Sequence, residues 1–141
     1  MIVVRKFQDG DEPTLVEILQ LNHQYGSPNV DGPEAMRRVA RCPAAVFLVA
    51  EEDGSVLGLV RGVYDGSRAM IHQLSVHPRH QSRGVGSTLV REMCRALSAR
   101  GAPSLSATVT SKSVGFWEEI GFRRLDVFLV LADNEELLRP G

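Results

Sequence analysis

Gln81, Gly84 and Gly86 lie in the stretch "VHPRHQSRGVGSTLV" (Val76–Val90), where a loop of basic residues runs into an apolar-periodic segment that predicts a helix. A helix N-terminus carries unpaired N–H groups and the positive end of the macrodipole, so it attracts anions. Glycine lets such a backbone approach a bulky phosphate with no Cβ in the way, and permits the positive φ that aims several N–H groups inward. Gln81, Ser82, Arg83, Gly84, Val85, Gly86 and Ser87 supply main-chain donors, and Arg79 and Arg83 add charge. The combination suits a pyrophosphate better than a single carboxylate. A Walker A loop needs a Gly-Lys-Ser/Thr ending, which "GVGSTL" lacks. A dinucleotide fingerprint needs a third glycine where Leu89 stands. Gln-x-x-Gly-x-Gly, directly after an apolar strand, is the pattern that remains.

The elements around the loop can be read from periodicity and turn residues. "IVVRKF" (Ile2–Phe7) predicts a first strand. Asp11 is placed to cap the next helix, with Pro13 in its first turn and Leu15, Ile18 and Leu19 inward. After the loop "YGSPNVDGP", Asp31 and Glu34 have the spacing of a capping box for a short helix ended by Pro43. Three strands follow, Ala45–Glu52, Val56–Tyr64 and Arg68–Val76, joined by "EDGS" and "YDGS"; Asp-Gly is a strong hairpin signal. Beyond the loop come a helix over Gly86–Arg100, a strand over Ser104–Val109, a short helix over about Ser111–Ile120 and a last strand over Phe122–Ala132. The order β-α-α-β-β-β-α-β-α-β predicts an α/β fold: a mixed, largely antiparallel twisted sheet with helices on both faces.

Length and composition suit one domain spanning residues 1–141. A net charge of −1 argues against a protein built to coat nucleic acid. No apolar run reaches membrane-spanning length, and "MIVVRKFQDGDE" lacks the apolar core of a signal peptide. Cys42 and Cys94 show no metal spacing and read as buried or semi-buried thiols of a reducing compartment. The expectation is a cytoplasmic protein without a metal site.

The loop and its surroundings resemble the GNAT superfamily of acetyl-CoA-dependent N-acyltransferases. "LSVHPRHQSRGVGSTLV" is similar to the family's strand, basic turn, Gln/Arg-x-x-Gly-x-Gly/Ala and helix. "FWEEIGF" (Phe116–Phe122), about thirty residues on, is similar to its Phe-Tyr-Glu-x-x-Gly-Phe segment. With the meander before the loop and two helices after the first strand, the resemblance covers nearly the whole chain. It implies the acyl-CoA acyltransferase fold and acetyl-CoA as cofactor, its pyrophosphate cradled by the main chain from Gln81 to Ser87. Leu74 and Val76 would offer main-chain groups to the pantetheine arm, in a slot opened where their strand and the next splay apart. A main-chain N–H at or near Val76 is the expected oxyanion donor.

The same resemblance implies roles for fewer, more variable residues. His72 stands where several members carry a glutamate that draws the proton off the amine, and an imidazole suits that step near neutral pH; a strand histidine without a chemical part is the competing reading. Glu51 and Glu52 are weaker alternatives. Trp117 stands where many members carry a tyrosine beside the CoA sulfur, and Thr110 where an asparagine is common. An indole N–H cannot usefully give up its proton, so packing is the plainer reading of Trp117. Acceptor-side candidates are His23, Tyr25 and Asn29. Arg37, Arg38 and Arg41 form a basic helix face, solvated or receiving an anion. The implied activity is direct acetyl transfer from acetyl-CoA to an amine, and a homodimer is compatible with it. A catalytically weak acyl-CoA sensor and a nucleotide-binding regulator are the rival readings.

Overall fold

The computed structural model describes residues 1–141. The chain divides into two compact units, Met1–Ala107 and Thr108–Gly141. The first holds a five-stranded sheet in sequence order: β1 (Val3–Lys6), β2 (Ala45–Glu52), β3 (Ser55–Tyr64), β4 (Ala69–Val76) and β5 (Ser106–Ala107). The first four pair antiparallel, and β5 runs parallel to β4. Asp53 and Gly54, both with positive φ, make the two-residue turn between β2 and β3. That turn matches the strand twist and sets the register.

Side chains alternate across this sheet, so it has two covered faces. Phe7, Phe47, Val49 and Leu59 on one face pack with Leu15, Ile18 and Leu19 of α1 (Glu12–Leu21) and Met36 of α3 (Pro33–Arg41). A one-turn helix, α2 (Pro28–Asp31), lies between those two. On the other face α4 (Val85–Ala99) buries Val85, Leu89, Val90, Met93 and Leu97 against β2, β3 and β4. It comes close because β3 has glycines there: a Cβ on Gly58 would lie 3.4 Å from the Leu89 side chain, and one on Gly62 would lie 3.0 Å from the Met93 sulfur.

Several expected features differ. The Asp11 carboxylate does not cap α1; it accepts from Arg5 through two bonds, 2.9 and 3.0 Å, and from the Gln8 N–H. Asp31 does not form a capping box with Glu34. It ends α2, Gly32 takes the N-cap position of α3, and its carboxylate accepts from the Gly26 N–H at 2.7 Å. Charged and main-chain donors at hand outcompete the local cap. Cys42 and Cys94 are exposed, not buried.

The second unit contains α5 (Val114–Glu119) and α6 (Asn134–Leu138). Gly121, at φ +113°, ends the α5 turn as its type suggests. The strand expected over Phe122–Ala132 is not formed, and that over Ser104–Val109 is reduced to Ser106–Ala107. Strand propensity is expressed only through pairing and packing against neighbours. The side chains of Val127–Leu131 have neither and are exposed. No helix is long and apolar enough to cross a membrane.

Candidate functional site

The site grows from the outer edge of β4. The His77 N–H donates to the Leu57 carbonyl at 2.8 Å. Antiparallel alternation then turns the main chain of Ser75 and Gln73 toward β3. Leu74 and Val76 therefore point their N–H and C=O groups outward. β5 pairs only with Met70 and Ile71, so no strand covers this edge beyond them. Their carbonyls are taken by side-chain amides. Gln24 Nε2 donates to Leu74 O at 3.0 Å, while Asn22 Nδ2 and Gln81 Nε2 donate to Val76 O at 2.8 and 3.0 Å.

A bulge begins the open stretch. Arg61 pairs with Gln73 and Gly62 with Ile71, which leaves His72 as the extra residue. His72 is solvent-accessible, yet desolvation by its surroundings, and secondarily the Arg61 charge, holds its pKa below the ordinary 6.5. The imidazole is therefore neutral, and able to accept a proton, at pH 7. Beside it Arg61 reaches Asp31 Oδ1 at 3.4 Å, and Gln73 Nε2 reaches the same oxygen at 3.3 Å. Arg61 Nε and Gln73 Oε1 are buried without a partner. Burial lowers the Arg61 pKa, partly offset by Asp31.

After β4 the chain makes a short 3-10 turn, Pro78–His80, and enters the glycine loop. Ser82 (φ +63°) and Gly84 (φ +83°) both take left-handed backbone. Gly84 is the N-cap of α4 and has no side chain to cap it. Its carbonyl accepts from Ser87 Oγ, Thr88 Oγ1 and the Thr88 N–H. The N–H groups of Val85, Gly86 and Ser87 thus begin α4 without intrahelical partners. Arg83 is otherwise engaged than its type suggests. Its guanidinium holds Glu52 at 2.8 Å and meets His80 Nδ1 at 3.0 Å, and it lowers the Glu52 pKa. Arg79 makes no ion pair. It lines an open cleft of about 470 Å³ with Glu17, Leu21 and His77.

Among the other candidates, Glu51 is held by Arg5 at 3.0 Å. His23 is exposed, with φ +57°, and follows the C-cap residue Asn22. Tyr25 packs against the core under α1 and α3, and the Asn29 carbonyl accepts from Arg38 at 3.2 Å. Arg37 pairs with Glu12, so the three arginines do not form one free basic face. In the second unit Thr110 Oγ1 donates to Ser113 Oγ, and Trp117 is 5% exposed with Phe116 and Phe122 edge-on to its ring. Residue types had not pointed to Asn22, Gln24, Arg61 or Gln73. Their part depends on meeting β4 across the fold, and "LNHQY" after a helix carries no strong signal of it.

Outward amide-pairing groups beside an uncapped, glycine-entered helix N-terminus fit a ligand that bears both amides and phosphates. Comparisons with known proteins give the family and the fold. A sequence model of the acetyltransferase (GNAT) family matches residues 13–122. A transcriptional regulator from Bacillus halodurans superposes with a TM-score of 0.80 at 21% identity, over 94% of this chain and 100% of that one. The PaiA N-acetyltransferase from Thermoplasma acidophilum, in complex with coenzyme A, gives 0.78 at 20% identity, over 91% and 93%. A GNAT-family acetyltransferase from Streptococcus pneumoniae gives 0.71 at 24% identity, over 95% and 98%.

Proposed function

Because the chain belongs to the acetyltransferase (GNAT) family, we propose that it moves an acetyl group from acetyl-CoA to a primary amine of a small molecule or protein, by direct transfer in a ternary complex. The observation that carries this reading is the outward main chain of Leu74 and Val76 beside the glycine-entered start of α4. The coenzyme A bound to the Thermoplasma relative supports the cofactor class. The cofactor, when bound, supplies an acyl thioester open to attack by an amine. Gln81 to Ser87 would hold its pyrophosphate through main-chain N–H groups, and Leu74 and Val76 would bind its arm. His72 takes the proton of the amine, and the Val76 N–H stabilises the oxyanion. Cys42 ends α3 and Cys94 belongs to α4. Neither lies on β4 or its loop, which favours direct transfer over a covalent acyl-enzyme. The acceptor binds toward His23, Tyr25 and Asn29. A cytoplasmic location, one domain over the chain and no nucleic-acid partner complete the reading, with which a homodimer is compatible.

One observation favours the rival sensor. Trp117 is locked between two phenylalanine rings, so this position offers the leaving thiolate no acid. Thermal unfolding and thiol release across a panel of amines separate the readings. Acetyl-CoA at a hundred times its Kd stabilises the fold by about 2.7 kcal/mol, and at least one amine releases free thiol. Stabilisation without turnover on any amine favours the sensor. Stabilisation by ATP or NAD but not by acetyl-CoA overturns both in favour of a nucleotide-binding regulator.

A further inference from the structure

We infer that Gln24 is a positioning residue: its carboxamide pins the loop after α1 to the open edge of β4 and is displaced when the arm of an acyl-CoA takes that edge. The inference rests on the reading that Leu74 and Val76 receive the arm.

Asn22 and Gln24 flank His23, whose left-handed φ of +57° turns the chain sharply after α1. The result is two side-chain amides on alternate outward carbonyls, Val76 O and Leu74 O. They stand where the N–H groups of a neighbouring strand would stand. The two anchors are unequal. Asn22 Nδ2 donates to Ser75 Oγ at 2.7 Å as well as to Val76 O, its Oδ1 accepts from Gln81 at 3.3 Å, and Ser75 is buried. That carboxamide is fixed from three sides. The Gln24 side chain makes one hydrogen bond, to Leu74 O, on a longer and more flexible stem.

An amide N–H of the arm is the same kind of donor as Gln24 Nε2. Exchanging one for the other at Leu74 O leaves the carbonyl satisfied, so the displacement is nearly balanced. Beyond Gln24 come two of the acceptor-side candidates, Tyr25 in the loop and Asn29 on α2. The loop's Gly26 N–H is tied to Asp31, and Asp31 to Arg61 and Gln73. Occupation of the β4 edge is thereby transmitted to the acceptor side, with Asn22 as the fixed pivot.

The test uses the wild type, Gln24→Ala and the near-isosteric Gln24→Met, each checked for folding by circular dichroism. Calorimetry measures CoA binding, and hydrogen exchange follows the amides of residues 23–32 with and without CoA. CoA speeds exchange in that segment of the wild type. Both variants exchange fast from the start, do not respond to CoA, and bind it about three- to tenfold more tightly, since no hydrogen bond must first be broken. Adenosine 3′,5′-bisphosphate, which lacks the arm, binds all three proteins alike and leaves the segment unchanged. Variants that bind CoA as the wild type does or more weakly, or a wild-type segment slowed by CoA, overturn the role of Gln24 and leave the proposed function standing. No CoA binding by the wild type overturns both.

Discussion

His72 owes its lowered pKa to its neighbours more than to its type. The bulge leaves it outside the regular pairing of β3 with β4, where it reaches solvent while Arg61 sits close by. Desolvation and that positive charge both favour the neutral imidazole. The acid limb of kcat/KM is therefore expected below 6.5, the ordinary histidine value. His72→Gln should remove the limb and lower kcat by about 10²–10⁴-fold; a pH–rate profile unchanged in height and shape would sink the role of base. Arg61→Leu should move the His72 titration upward, read from its ring protons by NMR. The same change strips the cation from Asp31, which is 4% exposed, and should lower stability in urea by about 3 kcal/mol. A loss under about 1 kcal/mol would mean that the Gly26 N–H and Gln73 Nε2 suffice to hold that carboxylate.

Two glycines govern how the strand and helix around the site meet. Gly84 turns the loop into α4 at φ +83°, where any Cβ is strained. Gly84→Ala should cost about 1–2 kcal/mol in stability, and it should weaken CoA binding because the N–H groups beyond it are re-aimed; calorimetry reads both. Gly58 is constrained by space instead. An added Cβ would lie 2.7 Å from the Ser75 carbonyl and 3.2 Å from the Val76 Cα. Gly58→Ala therefore has to part β3 from β4 at the proposed oxyanion donor. The expected loss is about 1–3 kcal/mol, with a matching drop in CoA affinity. Near-wild-type affinity would show that Val76 can shift without harm. The β2–β3–β4 meander is legible to within a residue or so from alternation and two Asp-Gly turns, because those signals are local. The caps at Asp11 and Asp31 are not: Arg5 and Gly26, near in sequence but outside any cap spacing, and Arg61 and Gln73, brought up from the sheet, take the carboxylates instead.

In the first unit, Asp11 and Glu12 are held ionised by paired donors despite their burial. Burial alone would raise the pKa of Asp11, but Arg5 and the Gln8 N–H outweigh it and bring it below 3.8. Glu12 is likewise drawn below 4.5 against its burial by backbone N–H groups and Arg37. A lowered folded-state pKa contributes stability above the unfolded value, lost as pH falls through the folded one. His72 acts in the same sense, starting near 6.5. The urea midpoint should thus be flat from pH 8 to 7, sag slightly below 6.5 and fall steeply below 4.5. A rise on acidification would contradict the ion pairs. Residue types and spacing alone determined the meander, the glycine-entered start of α4 and the family likeness, since each depends on neighbours in sequence. Tertiary structure decided that Arg83 is spent on Glu52, that Phe122–Ala132 forms no strand, and that Asn22 and Gln24 guard the β4 edge. The reason is physical: a hydrogen bond or a strand pairing is completed by groups that are distant in sequence, and folding alone determines which of them arrive.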